Sequence, residues 1–145
     1  MGCCQSLDKL NDTNVKLFSF NDQKIKAKIV RVYDGDTCWA VFYYKNEPIK
    51  LKVRLYGYDS PEMKPPLNKP FRDLEIEKAI LAKSQLEHLV LNKIVELNCF
   101  GWDKYGRLLA NIIVNKIDIM SYMIQNKYGI PYNGGLRSNS ALSNL

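Results

Sequence analysis

Histidine is nearly absent from this chain. His88 is the only one in 145 residues, and none of the four cysteines forms a CxxC pair or stands at a Cys/His ligand spacing. That combination excludes a structural zinc site. Cys38 and Cys99 fall in apolar, strand-like segments and are expected as buried free thiols, with His88 on the surface or boundary of a helix. No apolar run approaches the ~20 residues of a membrane-spanning helix. Internal repeats and low-complexity blocks are missing, and 145 residues leave room for one compact domain. With 46% hydrophobic and 25% charged residues, the chain is neither disordered nor fibrous in composition. Acids are the minority charge, 15 Asp and Glu against 21 Lys and Arg, for a net +6. A basic excess of this size suits a polyanionic partner, either nucleic acid or an anionic membrane.

What is present is mostly β pattern. Lys24 to Ile29 alternates strictly, and Val30 and Val32 then shift the phase as a bulge would. Thr37 to Tyr44 is rich in β-branched and aromatic residues. After a turn at Lys45-Asn46-Glu47-Pro48, Ile49, Leu51, Val53 and Leu55 alternate with Lys50, Lys52, Arg54 and Tyr56. This predicts a meander with one apolar face and one basic, partly aromatic face, on which Arg54 would lie. Met63 to Phe71, with three prolines, predicts an exposed loop. Asp73 then offers an N-cap to a helix running to Leu91, whose inner face is Ala79, Ala82, Leu86, Leu89 and Val90. Two further strands are expected at Lys93–Phe100 and Arg107–Val114, followed by a short helix over Ile117–Gln125. The expected fold is therefore mainly β with helices (α+β): a five-stranded barrel of the OB-fold type, a helix between strands 3 and 4, and a short C-terminal helix.

The N-terminus, Met1-Gly2-Cys3-Cys4-Gln5-Ser6, matches the acylation pattern M-G-x-x-x-[ST]. Gly2 would carry a myristoyl group on the unhindered amine left by methionine removal, and Cys3 and Cys4 would carry thioester-linked palmitoyl groups. One chain binds a membrane reversibly; a second makes anchoring stable. The alternative is a chance match in a tail with no apolar signal-peptide core. Acylation in a eukaryotic cell would place the protein on the cytoplasmic face of a membrane, and without it the expectation is cytoplasmic.

Three short segments carry the chemistry. Asp34-Gly35-Asp36-Thr37 brings two carboxylates together at a sharp turn, a demand typical of calcium, although a plain Asp-Gly turn has the same letters. Arg54 is followed by Asp59-Ser60-Pro61-Glu62: a guanidinium able to grip phosphate oxygens, then two carboxylates where the strand ends. Asp103-Lys104-Tyr105-Gly106-Arg107 is a hairpin loop ending in a second arginine. Each alone is a charged turn as readily as a site.

Taken together and in order, D-G-D-T, R-x4-D-[ST]-P-E and D-K-Y-G-R resemble the staphylococcal nuclease (thermonuclease) family, from about Ala27 to Tyr132. The resemblance implies a nuclease domain over 24–134, between a tail of 1–23 and a tail of 135–145. It implies Asp36 and Asp59 as calcium ligands through their side chains and Ser60 through its carbonyl, with Asp34 in support. Glu62 would orient or deprotonate the attacking water, and Arg54 and Arg107 would clamp the phosphate, their removal leaving the fold nearly unchanged. Lys104, Tyr105 and Tyr132 match positions that meet the nucleotide. The implied activity is calcium-dependent hydrolysis of DNA or RNA, of loose specificity, on single-stranded or frayed substrates, by a monomer. The implied Ca2+ site is weak. Two departures stand out: Ser60 replaces the usual threonine, and the family's long charged C-terminal helix has no counterpart in the pattern after Tyr132. The rival reading is a catalytically weak or inactive module that binds nucleic acid or serves as an adaptor. All the carboxylates and both arginines are present, which favours the enzyme.

Overall fold

The alternation of β1 (Lys24–Asp34) places Ala27, Ile29 and Val32 inward, and the phase change between Ile29 and Val32 is a bulge in its pairing with β2 (Thr37–Tyr44). The computed structural model describes residues 5–132. A two-residue turn, Lys45 and Asn46 with φ of 50° and 67°, returns β2 into β3 (Glu47–Leu55). Tyr58–Asp59 forms a short β4, and α1 spans Arg72–Val90. β5 (Ile94–Trp102) pairs with β1 and with β6 (Leu108–Val114). The sheet closes because β3 and β6 pair in parallel over Val53–Leu55 and Leu108–Ala110. The result is a closed five-strand mixed barrel with two helices, the architecture expected from the strand and helix pattern. Short pieces complete it: β7 (Ile117–Asp118) on β6, α2 (Ile119–Gln125) capped by the Asp118 side chain, and β8 (Ile130–Pro131) paired with β4.

The core fills the barrel and the space beneath α1. Leu86, fully buried, packs in one cluster with Ile29, Val95, Leu97 and the other inward residues of the strands. Cys38 and Cys99 are buried free thiols, and burial pushes the Cys38 thiol up to about 12. His88 is exposed on α1.

The structure corrects several expectations. Asp73 does not cap α1: Phe71 occupies the capping position in the left-handed conformation (φ 57°) with no side-chain cap, and Asp73 sits inside the first turn. The proline-rich loop sets that start, through Arg72 Nε donating to the Pro65 carbonyl, while Asp73 and Glu75 act on the helix dipole. β5 runs two residues further than expected, to Trp102, because a bulge at Gly101 (φ 136°) lets pairing resume. The packed unit also begins before Lys24: Phe20 is buried among Phe42, Tyr44 and Trp102, with ring centroids 5.6, 5.7 and 5.8 Å away. Gly2, Cys3, Cys4 and the 135–145 tail lie outside the described residues, within which no helix is long and apolar enough to cross a membrane.

Leu86→Ala deletes a fully buried side chain where α1 meets the barrel, and is expected to cost ~2–5 kcal/mol in urea unfolding. A loss below ~1 kcal/mol would mean that this helix contributes little to the core.

Candidate active site

Strand register brings the distant segments together. Thr37 pairs with Arg54, so the start of β2 and the end of β3 are neighbours, and the Leu55 N–H donates to the Asp36 carbonyl at 2.8 Å. Gly35 has no room for a side chain: a Cβ there would lie 2.6 Å from the Ser60 Cβ and 2.8 Å from the Ala82 Cβ. Its role is close approach, letting the acidic turn pack against β4 and α1. Tyr58, fully buried, locks the same junction by donating its hydroxyl to the Gly35 carbonyl at 2.7 Å.

The outcome is a cleft of about 310 Å³ lined by Asp34, Asp36, Arg54, Asp59, Ser60, Glu62, Lys104, Tyr105, Arg107 and Tyr132, together with Thr37 and Pro61. Every residue of the three segments to which the resemblance gives a role, with Tyr132, therefore lines one space, and Asp103 stands behind it. Tyr58 carries no catalytic letter pattern although it lies beside a motif residue, and Thr37, quoted in D-G-D-T, was given no role of its own.

Arg54 differs from the expectation. It does not lie on a solvated strand face; it is buried. Its Nη1 donates to the carbonyls of Leu55 (2.7 Å) and Tyr58 (2.9 Å), while Nη2 pairs with Asp59 and stands 3.5 Å from Asp36. Asp36 is held in turn: Ser60 donates its N–H (2.9 Å) and hydroxyl (3.0 Å) to one oxygen, and the Thr37 hydroxyl donates to the other at 3.0 Å. Removing Arg54 would strand two buried carboxylates, so its loss disturbs the fold as well as the chemistry.

Arg107 is held more openly, with Nε donating to Asp103 at 2.6 Å and its side chain about 24% exposed. Asp103 also accepts the backbone N–H groups of Tyr105 and Arg107, and so shapes the loop as a whole. Tyr105 is exposed, with the Arg107 guanidinium 5.3 Å and the Lys104 ammonium 5.1 Å from its ring centre. Glu62 is pinned from behind: its N–H donates to Glu75 of α1, which pairs with Lys69 at 2.6 Å. Glu75 is a positioning residue that the sequence pattern did not flag. Trp102, by contrast, packs against Phe18 and Phe20 and donates to the Phe18 carbonyl, away from the cleft lining.

Electrostatically the acids crowd one another. Burial pushes the Asp34 carboxyl up to about 6, and the charge of Asp36 adds to the effect. Among the described residues no group of three or more His, Cys, Asp and Glu forms a ready metal cluster. The local donors are nevertheless hard oxygens, from Asp36, Asp59 and the backbone, beside a carboxyl that crowding disfavours as an anion. A divalent oxygen-seeking cation relieves that crowding; zinc, which prefers nitrogen and sulfur, is a poor match.

The fold and site together are a closed mixed barrel with an acid-and-arginine cleft where strand ends and loops meet. The family model for staphylococcal nuclease homologues matches residues 52–139, more than half of the chain. The chain belongs to the staphylococcal nuclease family. Membership points to a nuclease, a hydrolase acting on nucleic acid, in a family that is generally calcium-dependent. Asp34 and Asp36 precede the matched span, and strand pairing brings them to it. No curated protein matches the chain.

Burial raises the Asp103 carboxyl, but the hydrogen bonds from Arg107 and Tyr105 outweigh it and hold the carboxyl below its ordinary 3.8. Such a group stabilises the fold above the ordinary value, and that contribution is lost as pH falls through the lowered one. Asp103→Asn should therefore melt below the wild type near neutral pH, the gap closing in acid. A gap that persists undiminished at the acid end would contradict the assignment.

Proposed function

We propose that the protein is a calcium-dependent nuclease that hydrolyses DNA or RNA with little sequence preference. The observation that carries this reading is the convergence of Asp36, Asp59, Glu62, Arg54 and Arg107 on one cleft. A phosphodiester is an anion that repels water and hydroxide, and more negative charge gathers on its equatorial oxygens during attack. Arg107 aims a guanidinium at those oxygens from one side, oriented by Asp103. Arg54 supplies a second positive charge from the floor, in a desolvated setting that strengthens its field. Glu62, its backbone fixed by Glu75, orients the attacking water and takes its proton. Asp36 and Asp59, with the Ser60 carbonyl, would hold calcium and Asp34 would support them; bound there, the ion supplies further positive charge to the developing phosphorane-like state. Lys104, Tyr105 and Tyr132 border the cleft where nucleotides on either side of the reacting phosphate would rest. Phosphate contacts of this kind read no bases, so binding should weaken with salt and specificity should be loose. The chain is expected to act as a monomer.

The reading extends to location. Dual acylation at Gly2 and at Cys3 or Cys4 would hold the enzyme on the cytoplasmic face of a membrane. There a weak calcium site would be empty at rest and filled during an influx.

The direct test is hydrolysis of denatured DNA and of RNA by the purified chain, with calcium or with a chelator. Turnover with calcium alone is expected, and Arg107→Ala and Glu62→Gln should each lower kcat by about a hundredfold or more, Glu62→Gln with little change in calcium affinity. Arg54→Lys replaces Arg54→Ala as the informative variant because it keeps a buried cation. No hydrolysis from a folded wild type would leave the binding or adaptor reading in its place; calcium-independent hydrolysis would overturn the calcium dependence and keep the nuclease. For the anchor, Gly2→Ala should move the protein from the membrane to the soluble fraction in a eukaryotic host; identical fractionation of both forms rejects acylation.

A further inference from the structure

The cleft does not end at Arg54. Because Thr37 pairs with Arg54 and Trp39 with Lys52, the outward face of β2 and β3 continues from the arginine, one pleat (about 7 Å) along the strands, onto Trp39 and Lys52. Arg31 is opposite Trp39 on the β1 side. On this face the Lys52 ammonium lies 4.6 Å from the Tyr33 ring centre and 5.8 Å from that of Trp39, and the Lys50 ammonium lies 5.9 Å from Trp39. Tyr33 is about half exposed, and Trp39 is half-buried. The outward residues from Lys28 to Tyr33, Trp39 to Tyr43 and Pro48 to Lys52 include Lys28, Arg31, Lys50 and Lys52 but no carboxylate. None of these four cations is in a salt bridge among the described residues.

We propose that this face is a stacking platform for single-stranded nucleic acid, taking the strand on one side of the reacting phosphate while Tyr105 and Tyr132 border the other. The inference rests on the nuclease reading and adds a polynucleotide subsite to it. A lysine over an exposed ring is a weak contact. A nucleotide satisfies both partners better: the phosphate draws off the ammonium and the base takes the uncovered ring face. Four cations and two rings arranged along strands at roughly nucleotide spacing match a flexible strand. Duplex DNA keeps its base faces covered and cannot use the rings. An anionic membrane would use the charges but offers no planar base for the rings to stack on.

The experiment holds the full chain in a chelator, so that no hydrolysis occurs, and titrates it with an oligodeoxythymidylate of about a dozen nucleotides. Tryptophan fluorescence should fall to a plateau in the wild type, and Trp39→Phe should abolish the change although Trp102 remains. By anisotropy of a labelled oligonucleotide, Trp39→Leu, which keeps apolar cover on the sheet, should bind about tenfold more weakly. Circular dichroism melting serves as the folding control. With calcium, Trp39→Leu should raise KM for the oligonucleotide about tenfold more than KM for a dinucleotide. Wild-type affinity in folded Trp39→Leu and Tyr33→Ala overturns the platform, even if Lys50→Ala with Lys52→Ala binds poorly, since the face then reads phosphate alone. Preferential capture of phosphatidylserine vesicles over the oligonucleotide through Trp39 overturns it as well. Trp39-dependent quenching without calcium-dependent hydrolysis would keep the platform and remove the catalytic reading; hydrolysis with a silent Trp39 would do the reverse.

Discussion

A buried guanidinium organises this molecule's functional end. Arg54 leaves water to sit between Asp59 and Asp36, with two backbone carbonyls taking its other amino group. A lone charge in that position would cost many kcal/mol, so the cation and the acids tolerate burial only together. The requirement ties three pieces of chain: the acidic turn after β1, the end of β3, and β4. Gly35 and Tyr58 hold the junction in close contact. The same grouping supplies hard oxygen donors and positive charge within one cleft, so structural and chemical demands fall on the same residues.

The barrel explains why this grouping can be rigid while its other half is open. β3 sits between β2 and β6, and its parallel pairing with β6 brings the root of the Lys104–Arg107 loop level with Val53 and Leu55. Arg54 is thus part of the wall, whereas Arg107 projects from a hairpin shaped by one carboxylate. In the proposed mechanism, Arg54 is then the floor and the more exposed Arg107 the clamp on the phosphate. Glu62 belongs to the rigid side through Glu75, so α1 supports the site as well as the core.

Much of this was legible in the residues. Period-two alternation located β1 to β3, the phase slip at Val30 located the bulge, and inward-facing alanines and leucines located α1. That the three motifs would gather at one cleft was legible because motif spacing is local and each motif sits at a strand end. What was not legible depended on tertiary cover. Alternation places Arg54 opposite Val53 and Leu55, which reads as outward; that β4 and the acidic turn roof it over is a property of the closed barrel. Phe20 is one aromatic in a polar stretch, and only the barrel's open end makes it a core residue. Glu75 looks like any acid in a first helical turn until the loop above it is in place. Trp39 reads as an ordinary strand aromatic, and its alignment with Lys52 and Arg54 emerges only from register.

Terbium luminescence tests the central claim most directly, since the ion takes oxygen-rich calcium sites and is sensitised by nearby tyrosines such as Tyr58. With purified wild-type chain and no nucleic acid, the account predicts a saturable signal that calcium displaces and that Asp36→Asn, which leaves Asp59 to pair with the buried Arg54, weakens about tenfold or more while the fold persists. An undiminished signal in that folded variant, or none in the wild type, would contradict the gathering of acids and guanidinium groups around a cation site.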